Sequence, residues 1–160
     1  MRKFLLIAIF TCLASQYVTA QSAYAELGGP GLASINFDTR FSKKDDGIGG
    51  RIGVGGFSFD DGFGDNVTMI FIPIGVNYLV GKDEKNYFEL GAGVTPVLGN
   101  VNGGGNDFSG TFGHVLLGYR MQPKIGGFTF RAFVCPVFGN GGFIPYYGGL
   151  SFGYKFGGKK

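Results

Sequence analysis

The sequence predicts a transmembrane antiparallel up-and-down β-barrel of about eight strands that follows a cleaved N-terminal signal peptide. Three observations predict it: an export signal, repeated runs of about ten residues that alternate apolar with polar or glycine residues, and an unusual composition. The 160 residues include 32 glycines, 18 phenylalanines and 8 tyrosines but no tryptophan. Glycine at this level without a three-residue period excludes collagen, and the interleaved aromatic residues argue against disorder.

Residues 1–20 have the three parts of a secretory signal peptide. Residues 1–3 are positively charged, residues 4–14 are mostly apolar, and Val18-Thr-Ala20 offers small residues before a cleavage site. We expect cleavage after Ala20 and a mature barrel of residues 21–160, with cleavage after Ala25 as the alternative. The apolar run is too short for a retained membrane helix, which needs about 20 residues.

The mature chain carries little net charge and one cysteine. Loss of Arg2 and Lys3 removes two positive charges and lowers the formal net charge from +3 to +1. The remaining charges are scattered, so no basic patch for nucleic acid is predicted. Cys135 has no partner cysteine, and stability must come from something other than a disulfide. Closing a barrel supplies it, because every strand then has hydrogen-bonding neighbours on both sides.

Alternation divides the mature chain into eight predicted strands. They span residues 22–28, 32–41, 51–59, 67–80, 87–97, 111–121, 128–138 and 145–156. The first is short, and a single kinked strand over residues 22–41 is an alternative that would leave seven. The alternation of the third strand shifts at Gly55-Gly56, which predicts a β-bulge. The fourth run is the most apolar, but it is too short for a membrane helix and contains Pro73 and Gly75.

Each strand places large apolar residues on one face and glycine or polar residues on the other. In the first four strands the inner face includes Glu26, Ser34, Asn36, Asp38, Arg40, Arg51, Pro73, Gly75 and Asn77. In the last four it includes Glu89, Gly91, Gly93, Thr95, His114, Gly118, Arg120, Thr129, Arg131, Cys135, Gly149, Ser151, Gly153 and Lys155. Outward aromatic residues suit girdles at two membrane interfaces. These are Phe41, Phe59, Tyr78, Phe88, Tyr119, Phe128, Phe138, Tyr146 and Phe156. The alternative is a soluble barrel or sandwich with these residues as its core.

The connections form two groups on opposite sides of the predicted barrel. Residues 42–47, 81–86 and 122–127 form short turns that each contain lysine, on the same side as the mature N-terminus. Residues 60–66, 98–110 and 139–145 are rich in glycine and asparagine and form the predicted outer loops. All are short for a transmembrane barrel, which leaves little material for a large adhesive surface.

Charged residues on the inner face predict a plugged lumen. The predicted lumen charge network comprises Glu26, Asp38, Arg40, Arg51, Glu89, His114, Arg120, Arg131 and Lys155. Eight strands enclose only enough room for side chains, so these charges should pair and fill the interior. A gated or narrow pore for small solutes or ions is the alternative.

No residue pattern predicts catalysis, a metal centre or a cofactor. The single histidine, His114, would need a nucleophile such as Ser109 or Ser151 and an acid such as Glu89, but their spacing does not support a triad. We expect His114 to hydrogen-bond to a lumen carboxylate instead. One histidine and one cysteine are too few for a zinc site.

Three aspartates, Asp60, Asp61 and Asp65, lie in one predicted outer loop. Their spacing matches no calcium-binding loop, and we expect a solvated acidic turn. A divalent cation held between lipopolysaccharide phosphates is the alternative.

Five stretches carry a resemblance to a known family. They are residues 24–31, 35–41, 88–93, 118–120 and 151–156. Together they resemble the small outer-membrane β-barrel proteins of Gram-negative bacteria and, in a general way, the eight-stranded outer-membrane protein A and X barrels. The resemblance implies a location in the outer membrane, contact with its lipid and lipopolysaccharide, and insertion by the barrel-assembly machinery.

The resemblance also implies that the last strand is the signal recognised by that machinery. Its polar residue, glycine and alternating aromatic residues correspond to Tyr147, Gly149, Phe152, Tyr154 and Phe156. The chain departs from the usual terminal phenylalanine by adding residues 157–160.

We therefore expect a non-enzymatic integral outer-membrane protein with a membrane-structural or surface-interaction role. A narrow passive pore is the second hypothesis, and a membrane enzyme that acts on lipid A through His114 is the third. The barrel architecture itself does not choose among them, because one fold hosts many functions.

Overall fold

A computed structural model describes residues 21–42, 44–60, 66–102 and 106–157. The predicted signal peptide, residues 1–20, lies outside these ranges, as do Lys43, Asp61, Asp65 and residues 158–160. Within the described ranges, no helix has the length and apolar character needed to cross a membrane.

The described residues form one closed antiparallel sheet. Its strands are β1 (Gln21–Gly28), β2 (Ala33–Arg40), β3 (Gly47–Asp60), β4 (Asn66–Phe71), β5 (Ile74–Val80), β6 (Asn86–Asn102), β7 (Asn106–Met121), β8 (Gly127–Val134), β9 (Val137–Gly139), β10 (Gly142–Ile144) and β11 (Gly148–Lys155). Three successive pairs, β4 with β5, β8 with β9 and β10 with β11, each form one interrupted crossing. The sheet is therefore an eight-stranded barrel, as predicted.

The first and last strands close the ring. β1 pairs with β11 from Ser22↔Lys155 to Gly28↔Gly149, and it pairs with β2 on its other side. A short 3-10 turn, Gly29–Gly31, separates β1 from β2. The short first strand is thus a separate strand, and the alternative of one long strand over residues 22–41 is wrong.

Prolines interrupt two strands without shifting their register. β4 and β5 pair with β3 in one continuous register, because Gly55↔Phe71 and Ile52↔Ile74 share the same offset across Pro73. Pro73 cannot donate a backbone hydrogen bond, but its carbonyl accepts one from Gly53 at 2.9 Å. β8 and β9 share one offset with β7 across Pro136 in the same way, from Leu117↔Val134 to Phe112↔Gly139, so these two crossings keep their inward and outward faces.

The predicted β-bulge at Gly55-Gly56 is wrong. β3 keeps one register with β2 and with β4, so Phe57 and Phe59 continue on the inward side of the strand. The ring of Phe57 stacks with that of Phe59 at 5.6 Å and with buried Phe71 at 6.0 Å. Along β3 the inward side chains change from polar to apolar, while the register of the strand stays the same. Phe59 is therefore not part of an outward aromatic girdle.

We call the end of the barrel with the short turns, residues 42–47, 81–86 and 122–127, its lower end. Between Gly55 and this lower end, the two faces of the barrel are as the alternation predicts. The outward face exposes large apolar side chains that include Ile35, Ile52, Val54, Val76, Tyr78, Phe88, Tyr119, Phe128, Val134, Phe152 and Tyr154. The inward face buries polar and charged side chains. Glycines make room for them: a Cβ at Gly53 would lie 2.1 Å from Asn36 Oδ1, and one at Gly49 would lie 2.2 Å from Arg40 Cζ.

The strands differ in height. β1 and β2 have 8 residues each, whereas β6 has 17 and β7 has 16. The Gly29–Gly31 turn consequently ends inside the barrel, where all three of its residues are buried. Gly28 and Gly29 have φ angles of 77° and 67°, a backbone conformation that glycine adopts without steric cost.

Two predicted outer loops are largely strand. Residues 98–102 and 106–110 extend β6 and β7, and residues 137–139 and 142–144 form the small hairpin β9–β10. Glycine and asparagine favour turns when taken alone, but here they pair across strands: Asn100 Nδ2 donates to Asp107 Oδ1 at 2.5 Å.

Candidate functional site

Charged side chains of alternating sign cross the lower half of the lumen. In order of contact they are Arg51, Glu26, Arg131, Glu89, Arg120, Asp38 and Arg40, which we call the lumen charge chain. Its members come from β1, β2, β3, β6, β7 and β8, and all are buried. The ion pairs thus connect strands on different sides of the barrel.

Glu89 on β6 is the centre of this chain. Arg120 on β7 donates from Nε and Nη2 to the two Glu89 oxygens at 3.0 and 2.9 Å. Arg131 on β8 donates from the same two atoms at 2.9 and 2.7 Å. Each guanidinium therefore binds the carboxylate in a bidentate manner, the strongest and most directional form of this pair.

Asp38 extends the chain to the opposite wall. Arg120 Nη1 and Nη2 each donate to one Asp38 oxygen at 3.0 Å, and Arg40 Nη2 donates to Asp38 Oδ1 at 2.5 Å. Asn77 on β5 donates to Asp38 at 2.5 Å and to Glu89 at 3.1 Å, and its side-chain oxygen accepts a hydrogen bond from Arg40. The amide of Asn77 thus bridges both carboxylates and one cation.

Glu26 anchors the upper end of the chain. Arg51 Nη2 donates to Glu26 Oε1 and to Asn36 Oδ1, both at 2.9 Å, and Ser151 donates to Glu26 Oε2 at 3.1 Å. The Arg131 guanidinium carbon lies 4.6 Å from the centre of the Tyr24 ring, a cation–π distance. Tyr24 and Glu26 on β1 therefore fix both arginines.

The described lumen charge chain contains four arginines and three carboxylates, a formal excess of one positive charge. Burial of such a set is favourable only when each charge keeps well-placed partners. Removal of one carboxylate is therefore far more costly than removal of an exposed one.

Two residues of the predicted network lie outside this chain. Lys155 pairs with Asp45 at 2.5 Å and donates to the carbonyls of Pro123 and Lys124, at the end of the barrel that holds the short turns. His114 does not meet a carboxylate as expected; its Nδ1 lies 3.3 Å from the Thr95 hydroxyl. The alternation predicts that a side chain points inward, but it does not specify how far along the barrel axis the side chain lies. This height determines which partners it meets.

Two of the residues that a triad with His114 would need are engaged elsewhere. Ser151 donates to Glu26, and Glu89 binds two arginines. Ser109, the other candidate nucleophile, pairs with Leu98 in the upper part of β7, whereas His114 pairs with Gly93. The described residues also contain no group of three or more potential metal ligands from His, Cys, Asp and Glu.

Alternation predicts Asn36, Asn77 and Ser151 on the inner face, but they were not among the residues predicted for the network. Asn77 bridges charged partners, Asn36 accepts from Arg51, and Ser151 donates to Glu26. Tyr24 and Asp45 were likewise missed. The sequence signal for Asn36, Asn77 and Ser151 was that they occupy the same inward positions of the alternation as the charged residues.

An apolar layer lies directly above the charge chain. Leu116, Phe133 and Cys135 form a buried cluster, against which Tyr147 and Val137 pack. The Gly29–Gly31 turn lies at the same level, because a Cβ on Gly29 would be 2.7 Å from Glu26 Oε1 and 2.8 Å from the Phe133 ring. The turn and the cluster separate the charged lumen from the space above.

That space is a pocket of about 580 Å³, which we call the mouth pocket. Its apolar lining includes Leu32, Phe71, Val97, Phe112, Val137 and Ile144. Leu32 has a φ angle of 59°, a strained conformation for a bulky residue, at the floor of the pocket. The rings of Phe71 and Phe112 meet edge to face at 6.5 Å on its wall. None of the described residues that line it is charged.

The predicted assembly-signal residues lie on both faces of the closing strand. Phe152, Tyr154 and Phe156 expose their side chains on the outward face, where Tyr154 and Phe156 rings lie 5.9 Å apart. Gly149 is on the inward face, where a Cβ would lie 2.7 Å from the carbonyl of Leu27. Tyr147 precedes β11 and is partly buried against the apolar layer.

The barrel end opposite the mouth carries exposed polar turns. Asp83 accepts hydrogen bonds from the Asn86 side chain at 2.5 Å and from the backbone N–H groups of Asn86 and Lys85. These bonds lower the pKa of Asp83 below its ordinary value, and the bond from the Asn86 side chain has the largest effect. Lys124 and Glu84 form an exposed ion pair at 2.6 Å.

Comparison with solved structures finds the same fold in outer-membrane proteins. The N-terminal β-barrel domain of OprF from Pseudomonas aeruginosa matches with a TM-score of 0.61 at 15% identity, covering 88% of this chain and 98% of that one. Neisserial surface protein A matches at 0.55 and 15% identity, covering 88% and 96%. The outer membrane protein Ail from Yersinia pestis, determined in a phospholipid bilayer nanodisc, matches at 0.52 and 13% identity, covering 87% and 97%.

At these identities the likeness shows the fold, that of eight-stranded outer-membrane β-barrels. No family model matches the sequence, and no curated protein matches it either.

Proposed function

We propose that the mature chain is an integral outer-membrane barrel whose lumen is plugged by the lumen charge chain. In this proposal it acts in the membrane as a structural or surface-interaction protein and not as an enzyme. The observation that carries the proposal is the unbroken alternation of buried cations and anions from Arg51 to Arg40. A connected set of this kind leaves the interior occupied by paired side chains.

The outward face supports the membrane location. This face carries large apolar side chains that are at least about half exposed, such as Ile35, Val76, Phe88 and Phe128. The opposite face of the same strands is buried and polar. A contiguous apolar outer surface over a polar interior is the arrangement expected in lipid, and the reverse is expected in water. Lipid and lipopolysaccharide are accordingly proposed as its surroundings, and the barrel-assembly machinery as its partner during insertion.

The names of the structural neighbours accord with a role at the cell surface. One is a surface protein and another is an attachment invasion locus protein. We include a role at the cell surface in the proposal for this chain. The engagement of Ser151 and Glu89 with other partners supports a non-enzymatic protein.

Membrane fractionation and gel mobility test the location. We expect the protein in the outer-membrane fraction, with faster migration of an unheated sample than of a boiled one, because a folded barrel resists detergent. Recovery from the soluble periplasm would contradict the proposal.

Planar-bilayer recording tests the plug. We expect no steady conductance from the wild-type barrel, and discrete openings from the Glu89→Gln variant, in which two arginines lose their central counter-ion. The matched control is Glu84→Gln, which removes an exposed carboxylate and should stay closed. A steady open level in the wild-type protein would replace the plugged barrel with the narrow pore.

A further inference from the structure

The mouth pocket has a lateral opening through the barrel wall. β7 pairs with β9 only from Phe112↔Gly139 to His114↔Val137, and its continuation toward Asn106 pairs with β6 alone among the described strands. β9 and β10 form their own hairpin. β7 therefore extends beyond the tip of this hairpin, and a gap in the hydrogen-bonded wall lies beside upper β7, above the hairpin tip.

The lining of the pocket passes through this gap. On one side of it lie Ser109, Gly110 and Thr111 of β7, and on the other lie Asn140 and Gly141 at the tip of the β9–β10 hairpin. Phe138 and Phe143 are on the outward face of that hairpin and are exposed. The lining of the pocket thus continues past these small and polar residues to exposed Phe138 and Phe143 on the outer wall of the barrel.

We propose that the mouth pocket binds the hydrocarbon chain of a single-chain amphiphile that enters sideways through the gap beside upper β7, above the tip of the β9–β10 hairpin. The inference rests on the proposed position of the barrel in the outer membrane, where its wall is in contact with lipid. It goes beyond that proposal because it assigns a ligand class to a defined cavity.

Charge and volume select this occupant. The described lining is uncharged and offers no counter-ion for an acidic or basic group, so the head of the amphiphile stays at the rim near Ser109, Thr111 and Asn140. A volume of about 580 Å³ is that of a typical small-ligand site. The chain gains free energy with each methylene group that leaves water, and Leu32, Phe71 and Phe112 provide the contacts.

The floor of the pocket prevents deeper passage. The buried Gly29–Gly31 turn and the Phe133 ring lie between the pocket and Glu26. The site is therefore closed at its lower end, and the amphiphile is held and not conducted through the lumen.

A tryptophan reporter tests the proposal directly, since the natural chain has no tryptophan. Phe112→Trp places the reporter on the pocket wall, in protein purified from membranes and held in nanodiscs. Titration with dibromostearic acid should quench its fluorescence to a plateau at one equivalent. Phe152→Trp, on the outward face of β11, is the control and should show quenching that rises with lipid partitioning without a plateau.

A blocking variant identifies the pocket as the binding site. A Cβ at Gly110 meets nothing within 4 Å, so Gly110→Leu adds volume to the lining without a backbone clash. A leucine side chain displaces several methylene groups of the ligand, and we expect at least about tenfold weaker apparent affinity. Ser58→Leu adds the same group to the outward face of β3 and should leave the affinity unchanged.

The outcomes separate this proposal from the one on which it rests. Quenching of Phe112→Trp without a plateau, or a plateau that Gly110→Leu leaves unchanged, would overturn the pocket even if the barrel is found in the outer membrane. Should the tryptophan variant fail to fold, methyl NMR of the wild-type barrel decides. Added fatty acid must shift the resonances of Leu32, Val97, Val137 and Ile144, and their constancy would also overturn the proposal.

Discussion

The lower lumen and the mouth are built from the same strands but have opposite chemistry. β3 turns Arg51 inward below and Phe57 inward above, and β7 does the same with Arg120 and Phe112. Below, bidentate ion pairs join Arg120 and Arg131 to Glu89. Above, apolar residues line a cavity beside an opening in the wall. One continuous register can therefore carry a charged lower lumen and an apolar pocket, because only the side chains change.

The largest expected effect is in the lumen charge chain. Glu89→Gln should lower the free energy of unfolding by about 3 to 5 kcal/mol, because it leaves Arg120 and Arg131 buried without their shared counter-ion. Urea unfolding of the barrel in lipid vesicles measures this change. Glu84→Gln removes a carboxylate whose pair with Lys124 is mostly exposed, and it should cost about 1 kcal/mol or less. Equal losses in the two variants would mean that the charge chain does not stabilise the lumen.

A smaller effect compares a glycine from each region. Gly53→Ala places a methyl group 2.1 Å from Asn36 Oδ1 and should destabilise the barrel by about 1 to 3 kcal/mol through overpacking. Gly110→Ala, in the lining of the mouth, meets nothing within 4 Å and should change stability by about 0.5 kcal/mol or less. The same unfolding assay applies to both. A neutral Gly53→Ala would show that the lower lumen is not tightly packed.

The same contrast explains what could be predicted from the sequence. Alternation identified the inward face of every crossing in the lower lumen, because there polar residues face inward and apolar residues face outward. It failed at Phe57 and Phe59, where the inward face becomes apolar and the change imitates a bulge. A local pattern holds no information on the height of a residue within the barrel. Height also decided that Lys155 meets Asp45 and that His114 meets Thr95.

The loops were misassigned for a related reason. Glycine and asparagine in residues 98–110 suggest turns, yet β6 and β7 continue through most of this range. Pairing with a neighbour, such as Thr68↔Asn100 between β4 and β6, overrides the weak local preference. The mouth pocket depends on these extensions and could not be predicted before the strand lengths were known.

The smallest expected effect lies outside both regions, in the turn that carries Asp83. Its pKa is lowered chiefly by the Asn86 side chain, so Asn86→Ala should raise this pKa toward its ordinary value. Because the folded pKa is depressed, the stabilisation is present above the unfolded pKa and is lost as the pH falls through the folded one. NMR titration of the Asp83 carboxyl in both proteins measures the shift. An unchanged pKa would assign the depression to the backbone N–H groups of Lys85 and Asn86, which the variant keeps.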